Sequence, residues 1–455
     1  MIRKLTIKKG PSPRVRRVFL LVAAVVAWET TPALAQEPYN LTAPVTNLAT
    51  MFNDLFGPRG IIVDSEASLP GEQSHSAHFN SDFQFNFSQF GTALVSQLVS
   101  VPLPSPASGF TYQFDATLGV FQRTTQSFGP ILADRAETIG ARRIAFGFAY
   151  QRFSFDSVEG IDLQRVPAVF THDNAALRGG REDVVTTLNA IGASVEQSTT
   201  FVTLGITDHL DVSIAVPIVS NSLRVVSSAE IHRIGTVNPL THFFRQSNGD
   251  VGVTRLFTAV GSATGVGDLM VRLKQSVWRR ASGGVALGLD VRLPTGDEMN
   301  LLGSGATGLQ PFATWSGTYQ NISPHVNLSY RWNGSSVLAG NPSTGESAHF
   351  PDQVSYALGA DVSVNPRVTL AFDLLGRYII DAERLQHQTF QALDGRTTFP
   401  NIVFTKDSFN ALSGSIGFKA NLLGRMLLDM NVLFKLDEHG LRDKVTPLFG
   451  IEYSF

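Results

Sequence analysis

Apolar and polar side chains alternate along much of this chain with a period of two residues. In residues 425–436 every even position is apolar, whereas Asp429, Asn431 and Lys435 stand at odd positions. Successive side chains of a strand point to opposite faces, so this alternation predicts a strand with one apolar face and one polar face. The same period-two pattern predicts further strands in residues 143–151, 284–293, 325–332, 353–363 and 368–378.

The last strand has the same character and suggests where the apolar faces lie. Phe449, Ile451, Tyr453 and Phe455 share one face, and smaller or polar residues share the other. Such a large set of long strands without a helical layer would be unusual for a soluble sandwich. The pattern therefore predicts an all-β fold, a transmembrane antiparallel β-barrel with an apolar outer wall and a polar lumen.

The connections between these strands alternate between short and long. Short turns rich in Gly, Asn, Asp or Pro are predicted at 207–209, 279–283, 320–324, 365–367 and 421–424. Long polar loops are predicted at 156–192, 221–264, 294–308, 333–352 and 381–406. Outer-membrane barrels have short periplasmic turns and long extracellular loops. Tyr and Trp residues at both predicted strand ends fit two interfacial aromatic belts.

The strand count has two possible values. Twelve strands are predicted from about Arg142 to the end of the chain. A strand over Thr111–Phe121 and another near Phe90–Ser100 would raise the number to about fourteen. Both numbers are even, as is usual for bacterial barrels. The barrel domain is accordingly predicted over residues 90–455, with fourteen strands favoured and twelve as the alternative.

The N-terminal 35 residues resemble a cleaved signal peptide. Seven basic residues precede the short apolar run Val18–Trp28, and Ala33-Leu34-Ala35 is a small-x-small cleavage site before Gln36. Arg16 and Arg17 also resemble a twin-arginine signal. That route carries folded cargo, whereas a barrel with a lipid-facing wall has to cross the periplasm unfolded, so the general export signal is favoured.

Residues 36–89 alternate poorly and form a separate predicted N-terminal segment. A short helix over Thr46–Phe56 is expected to end at Gly57-Pro58. The segment is interpreted either as a plug inside the lumen or as a periplasmic tail.

Composition agrees with export to the bacterial outer membrane. Only 16% of the residues are charged, and the chain has no cysteine, so thiolate metal sites are excluded. Removing residues 1–35 leaves 29 basic and 37 acidic residues and changes the net charge from −2 to −8. This balance offers no footprint for nucleic acid. No cofactor is expected. The expected partners are outer-membrane lipid, a small-molecule solute, and the barrel-assembly machinery, which would bind the terminal strand ending in Phe455.

Charged residues on the predicted inner faces are the candidate functional residues. Isolated charges are costly in a dry interior, so these side chains must pair with each other or meet water. They line a polar pathway or form a purely structural ladder of ion pairs, and the pathway is favoured. The lumen-lining candidates are Arg272, Lys274, Asp290, Arg292, Arg331, Asp361, Asp373, Arg377, Asp429, Lys435 and Glu452.

Two groups of motifs resemble a known family. Gly265-Val266-Gly267-Asp268-Leu269, followed by a strand and by Leu293-Pro294-Thr295-Gly296-Asp297, resembles the outer-membrane transporters grouped under the MetA pathway of phenol degradation. Ser127–Ile131 and Arg135–Gly140 resemble bacterial proteins described as barrel transporters. The fatty-acid transporter barrels are a more distant likeness. The resemblance implies passage of small, hydrophobic or aromatic molecules across the outer membrane. By itself, Pro294–Asp297 is interpreted as a turn rather than as a cation-binding loop.

Two other functions are weighed against passive transport. A surface or adhesion barrel would act through its long loops without transporting anything. A lipase-like enzyme would need a serine next to a histidine. His325 and Ser329 share a face, but residues four apart on a strand are roughly 13 Å apart. They cannot form a catalytic pair alone, so no catalytic residue is predicted, and the histidine spacing predicts no metal site.

Overall fold

The computed structural model is a closed antiparallel β-barrel of twelve strands. It describes residues 41–42, 47–57, 60–66, 78–80, 90–95, 112–115, 120–123, 127–172, 183–422 except 236, 247 and 281, and 425–454. The barrel strands are β1 (Ile144–Phe155), β2 (Val184–Thr207), β3 (Leu210–His232), β4 (Thr254–Val266 and Leu269–Arg280), β5 (Gly283–Leu293), β6 (Gly308–Gly317), β7 (Ile322–Asn333), β8 (Gln353–Asn365), β9 (Val368–Gln391), β10 (Thr398–Asn421), β11 (Met426–Lys435) and β12 (Val445–Ser454).

Each strand pairs with its neighbours in sequence, and β12 pairs with β1 to close the ring. Both parts of β4 pair with β3 in the same direction, so they form one strand that is interrupted at Gly267 and Asp268. The short turns all lie at one end of the barrel, hereafter the short-turn end. The opposite end, which carries the long connections, is the long-loop end.

The predicted count of fourteen strands is wrong, and the alternative of twelve is confirmed. Residues 90–95 are helical rather than extended. The predicted strand over Thr111–Phe121 is replaced by a hairpin of Tyr112–Asp115 and Val120–Arg123, whose two strands pair only with each other. Period-two alternation marks a strand but does not reveal its partner, so the pattern could not exclude these segments from the barrel. The first barrel strand begins at Ile144.

The outer wall of the barrel is apolar near the short-turn end. Its large outward side chains are exposed because none of the described residues covers them, as is typical of lipid-facing side chains. Ten of them, between 38% and 55% exposed, are Phe146, Phe148, Ile214, Ile218, Leu273, Leu289, Leu328, Phe372, Val432 and Phe449.

The polarity of the two faces inverts halfway along the longest strands. On β3 the outward residues are apolar up to Ile218 and, apart from Val226, polar from Ser220 to Glu230. The buried inward residues invert in the opposite sense, from Asp211 and Ser213 to apolar residues such as Val225. The half of the barrel at the short-turn end therefore has an apolar, lipid-facing outer surface and a polar lumen. The half at the long-loop end has a polar outer surface and an apolar interior.

This inversion corrects the predicted loops at 221–264 and 381–406. β3 continues to His232, and β9 and β10 are each 24 residues long. A transmembrane strand needs only about 9–11 residues, so these strands extend well beyond the membrane. Their parts beyond the membrane carry polar residues outside, and this polar composition resembles that of loops.

The interior of the long-loop end contains two short helices from the N-terminal part of the chain. The 3-10 helix Leu48–Thr50 leads into helix α1 (Met51–Phe56), which ends at Gly57 as predicted. Met51 and Phe56 are buried in one apolar cluster with inward side chains of the long strands, such as Val225 and Phe257. Residues 48–56 of the predicted N-terminal segment thus pack inside the long-loop end. Other parts of that segment, and the predicted signal peptide, lie outside the described residues.

The remaining short elements belong to the connections and the N-terminal region. Among the described residues, no helix is long and apolar enough to cross a membrane. A second 3-10 helix spans Leu163–Arg165. The other strands are Leu41–Thr42, Ile61–Ile62, His78–Asn80, Ser157–Val158, Ile161–Asp162, Val166–His172, Phe244–Arg245, Val251–Gly252, Ser335–Asn341, Glu346–His349 and Leu441–Arg442.

Candidate functional site in the barrel lumen

A segment without regular secondary structure crosses the lumen near the short-turn end. This strap comprises residues 127–141, immediately before the first barrel strand. All its residues from Ser127 to Gly140 are buried except Glu137, which is half-buried. Both groups of family-like residues noted before β1, Ser127–Ile131 and Arg135–Gly140, lie in the strap.

The strap runs from one wall of the barrel to the opposite wall. The Phe128 amide donates to Oγ1 of Thr369 on β9 at 3.0 Å, and the Ile139 amide donates to Oδ2 of Asp211 on β3 at 3.0 Å. β3 and β9 are six strands apart in a ring of twelve, so these contacts lie on opposite sides. The strap therefore spans the lumen.

Between its two ends the strap is held by side chains of the wall. The amide of Asp134 donates to Oδ1 of Asn327 at 2.6 Å, and Asn327 Nδ2 donates back to the Asp134 carbonyl at 2.8 Å. The Ala136 amide donates to Oγ of Ser316 at 3.0 Å, and Ser316 in turn donates to Glu137. Hydrogen bonds satisfy backbone groups that would be costly to bury without partners.

The Asp134 carboxylate is at the centre of a buried charge cluster. It accepts hydrogen bonds from Arg272 and, at 3.2 Å, from Nζ of Lys274. Arg272 also donates two hydrogen bonds, at 2.7 and 2.8 Å, to the two oxygens of Asp290. Such bidentate, charge-assisted bonds are stronger than neutral ones. The cluster therefore fastens the strap to β4, and through Arg272 to β5.

A cavity of about 130 Å³ lies above the strap. Leu132, Ala133 and Asp134 of the strap line one side of it. The barrel wall contributes aromatic, aliphatic and polar side chains, including Phe153, Phe312, Met270, Leu375, Gln310 and Ser329, together with Arg272, Arg331 and Arg377. The cavity is thus a mixed environment, apolar on several sides and cationic on others.

Two smaller cavities share lining residues with the central cavity and include residues of the long-loop end. One, lined by residues of the long connections such as Glu159 and Gly440, is about 30 Å³. The other, also about 30 Å³, shares Phe153 and Leu433 with the central cavity. Arg377 lines all three. Three cavities with Arg377 in their linings therefore lie between the loops and the strap.

The structure places all eleven charged residues selected from the sequence on the inner side of the wall, but it separates them into groups. Four of them, Arg272, Asp290, Arg331 and Arg377, line the central cavity. Lys274 contacts Asp134, and Glu452 lies 3.6 Å from Nζ of the buried Lys419. Asp429 is buried beside this last pair. Lys435 lies near the long-loop end, where it donates to Glu438 at 2.7 Å.

Arg292 belongs to a structural junction rather than to the cavity. It lies 3.6 Å from Asp268 at the interruption of β4. Asp268 also accepts hydrogen bonds from the Gly296 amide at 3.2 Å and from the amide and hydroxyl of Ser304, and Thr295 donates to the Gly267 carbonyl at 2.8 Å. The family-like residues 265–269 and 293–297 therefore hold one loop in place, which agrees with the turn interpretation.

Asp361 and Asp373 flank His325 inside the barrel. His325 Nε2 lies 2.6 Å from Asp373 Oδ1, and Nδ1 lies 3.6 Å from Asp361 Oδ1. Asp361 also accepts a hydrogen bond from Ser127 of the strap. Ser329 bonds instead with Gln310. His325 thus interacts with carboxylates and supports the strap indirectly.

Sequence reasoning did not select Asp134 or Lys419. Asp134 precedes the barrel and lies in a segment that does not alternate, so no strand pattern could place it in the lumen. Lys419 stands between Phe418 and Ala420 in a clean alternation. It could have been chosen by the same criterion as the others.

Residues 173–374 match the model of a family described as "Putative MetA-pathway of phenol degradation", which confirms the resemblance noted from the sequence. No curated protein matches the sequence at a significant level. An outer membrane channel from Pseudomonas putida F1 is 14% identical, with 70% of this chain and 98% of that chain covered and a TM-score of 0.43. The toluene transporter TbuX of Ralstonia pickettii is 10% identical, with 70% and 91% covered and a TM-score of 0.32.

Proposed function

We propose that this protein is an outer-membrane barrel for the passive transport of small hydrophobic or aromatic molecules. The observation that carries the proposal is the presence inside the barrel of three cavities with Arg377 in their linings, the central one of which is lined by the strap. In this proposal the short-turn end faces the periplasm, since outer-membrane barrels have short periplasmic turns. Residues 1–35 serve as the cleaved export signal, and the terminal strand is recognised by the assembly machinery.

The way in which the strap is attached supports its role as a closure that can open. Five strap amides, those of Phe128, Asp134, Ala136, Ile139 and Ala141, donate to side chains of the wall or of a turn. Side chains can change rotamer and exchange such bonds for bonds to water at a modest net cost. Displacement of the strap therefore leaves the hydrogen-bonded ladder of the barrel intact.

The family match supports the class of solute. The description of the family refers to phenol degradation, and the central cavity combines aromatic and aliphatic walls with a few polar groups. Small-molecule sites are commonly of this kind. A single aromatic ring is therefore the solute for which the cavity is best suited.

Solute entry into liposomes tests this proposal. The test uses liposomes that contain the purified barrel, and swelling rates with phenylalanine and with the larger trisaccharide raffinose are compared. We expect slow entry of phenylalanine through the wild type, faster entry through Asp134→Asn, and exclusion of raffinose by both. Protein-free liposomes give the background. If phenylalanine entered through neither the wild type nor Asp134→Asn, the proposed transport function would be overturned.

A non-transporting surface barrel is the second candidate. The observation in its favour is the length of β9 and β10, whose hairpin extends beyond the membrane with exposed residues near its tip. A barrel of this kind would stay closed to phenylalanine even with Asp134→Asn. Its binding to surfaces would depend on residues 386–398.

A further inference from the structure

The central cavity has room for one aromatic ring. Its volume of about 130 Å³ is of the same order as an engineered apolar cavity of about 150 Å³ that binds benzene. Two fused rings would therefore overlap with at least one wall of the cavity. The residue that forms this wall would set the upper size limit of the solute.

Phe312 on β6 forms one wall of the cavity, and only 9% of it is exposed. Its inward-facing neighbours on the adjacent strands are small, since Phe312 pairs with Gly288 on β5 and with Ser329 on β7. Of these three paired residues, Phe312 alone has a bulky side chain. Its ring therefore separates the cavity from a part of the wall that is otherwise lined by glycine and serine.

The ring of Phe312 lies against the barrel wall at Gly288. A Cβ atom at Gly288 would be 2.2 Å from Cζ of Phe312 and 2.6 Å from the carbonyl oxygen of Leu273. No side chain therefore fits at position 288 while the ring occupies its present place. Glycine within a strand often marks such a close approach, and here it gives the aromatic ring its position on the wall.

Arg272 holds the Phe312 ring from a second direction. The guanidinium carbon of Arg272 lies 4.9 Å from the centroid of the ring, a distance at which a cation is attracted to an aromatic face. Arg272 is itself fastened by hydrogen bonds to Asp290 and Asp134. Because these bonds keep Arg272 in place, loss of the ring would leave a space that neither Arg272 nor the small neighbours of Phe312 fill.

Phe153, a second buried phenylalanine of the lining, has larger neighbours. It pairs with Val195 on β2, and its ring is stacked on that of Phe155 with the centroids 5.7 Å apart. Side chains of this size can shift into a vacated space, and the volume that a truncation leaves depends on how far the site collapses. Phe312 is therefore the phenylalanine whose truncation should enlarge the cavity more.

We propose that Phe312, whose ring lies against Gly288, is the specificity-determining residue that limits the solute to a single aromatic ring. This deepens the proposed function and rests on it for its biological meaning. With the Phe312 ring in place, groups of the size of benzene fit and two fused rings do not. Without it, the cavity extends to the wall at Gly288 and Ser329 and admits a second fused ring.

Calorimetry on the detergent-purified barrel tests the size limit with benzyl alcohol and naphthalenemethanol. These ligands carry the same hydroxymethyl group on one ring and on two fused rings, and their free concentrations are corrected for uptake by protein-free micelles. Burial of apolar area alone favours the larger ligand, so a preference for the smaller one reports a steric limit. We expect the wild type to bind benzyl alcohol about tenfold or more tightly, since overpacking a filled site is costly. Equal affinities, or tighter binding of naphthalenemethanol, would overturn the proposal.

Substitution of Phe312 then locates the limit. Phe312→Ala should bind naphthalenemethanol about tenfold or more tightly than the wild type does, and its affinity for benzyl alcohol should change by less than about threefold. Phe312→Leu should give a smaller gain in the same direction, and it serves as the test if the alanine variant does not fold. Phe372→Ala, at a lipid-facing residue that is 41% exposed, is the matched control and should keep the wild-type preference. Altered gel migration after boiling verifies that each barrel is folded. The wild-type preference in a folded Phe312 variant would refute the proposal.

Transport is measured separately, so that the size limit and the transport function can fail independently. Swelling of liposomes with phenylalanine and with tryptophan, which has two fused rings, compares Asp134→Asn with and without Phe312→Ala. Faster tryptophan entry only with Phe312→Ala would support the size limit along the pathway. A changed ligand preference without entry of either amino acid would refute the transport function and support the size limit. Phenylalanine entry with an unchanged ligand preference in Phe312→Ala would support transport and refute the size limit.

Discussion

The Asp134 carboxylate on the strap accepts a hydrogen bond from Nζ of Lys274 on the barrel wall at 3.2 Å, and Lys274 is only 2% exposed. Removal of either charge would leave the other buried without compensation, which costs several kcal/mol of stability. An ion pair between two segments that are 140 residues apart in sequence therefore helps to hold the strap in the lumen. This pair and the adjacent Arg272 are the parts of the closure most sensitive to substitution.

Asp134→Asn should loosen the strap. The substitution removes the negative charge from the bonds to Arg272 and Lys274, and hydrogen bonds to charged groups are worth about 1.5–3 kcal/mol each. Loss of one such bond shifts the equilibrium between closed and open strap by about tenfold or more. Ionic current through single barrels in planar bilayers should rise by a similar factor.

Asp250→Asn is the matched control for this substitution. Asp250 lies at the exposed turn where it accepts from Asn248 at 2.6 Å, far in sequence from the strap. It undergoes the same carboxylate-to-amide change, and its current should equal that of the wild type. An equal rise in both variants would show that the effect is not specific to the strap.

Gly205→Ala should displace the C-terminal end of the strap. A Cβ atom at Gly205 would lie 1.8 Å from the carbonyl oxygen of Gly140, a backbone atom that cannot move aside by a rotamer change. We expect a lower melting temperature and a larger bilayer current. Gly192→Ala on the same strand is the control, because its Cβ would lie 3.9 Å from the nearest atoms. Wild-type behaviour of Gly205→Ala would mean that the strap does not occupy this position.

Phe56→Ala should destabilise the apolar interior of the long-loop end. The Phe56 ring lies 5.0 Å from that of Phe170 and 5.5 Å from that of Phe257, in edge-to-face contacts. Removing a buried phenylalanine side chain costs about 3–5 kcal/mol. Hydrogen exchange of residues 47–57 should accelerate strongly, whereas Ile62→Ala, at a residue that is 46% exposed, should leave the exchange of that segment nearly unchanged. Slow exchange in Phe56→Ala would contradict the packing of α1 in this interior.

His232 should make the top of the barrel sensitive to acid. It lies beyond the membrane-spanning part of β3, where burial lowers its pKa although Glu230 acts in the opposite direction. Its ring contacts Thr186 Oγ1 at 2.8 Å, and its centroid lies 4.5 Å from that of the Phe399 ring in a tilted arrangement. A histidine with a lowered pKa binds protons more readily when unfolded, so stability is fully present above about pH 6.5 and is lost as the pH falls below that value.

The melting temperature at pH 5 and at pH 8 measures this effect. His232→Gln keeps a group that can bond to Thr186 but cannot be protonated. The variant should lose less stability than the wild type between pH 8 and pH 5. His209→Gln, in an exposed short turn, should retain the wild-type difference. An identical change in melting temperature between pH 8 and pH 5 in all three proteins would show that His232 does not cause the acid sensitivity.

The sequence predicted the barrel because lipid imposes a rule on every membrane-spanning strand. One face must be apolar, and this holds for Phe146 on β1 as for Phe449 on β12. The rule weakens where water replaces lipid, as beyond Ser220 on β3. There the alternation persists with its faces exchanged, and a polar outer face resembles a loop in composition.

The alternation of apolar and polar residues could not predict the strap. The strap has no repeating pattern because it crosses the lumen and meets several different strands, and its amides bond to side chains such as Asn327 and Ser316. The inward direction of Arg272 and Asp290 could be inferred from alternation on one strand. Their partner Asp134 could not, because this contact depends on where the chain crosses the lumen.

A reversible disulfide between the strap and the barrel wall would test whether the strap closes the lumen. The protein has no cysteine, so a single introduced pair is unambiguous. Ala136 and Ser316 are in contact through a hydrogen bond of 3.0 Å, and a disulfide needs Cβ atoms about 3.5–4.5 Å apart. The measurement is the planar-bilayer current of Asp134→Asn combined with Ala136→Cys and Ser316→Cys, after mass spectrometry has verified the disulfide.

If the strap closes the lumen, the oxidised triple variant should carry little current. Addition of a reductant should raise the current to the level of Asp134→Asn. The double-cysteine barrel that retains Asp134 should conduct little in either state. The opposite result would be a large current through the oxidised, locked barrel that equals the current after reduction. It would show that ions do not pass the strap and that the strap does not close the lumen.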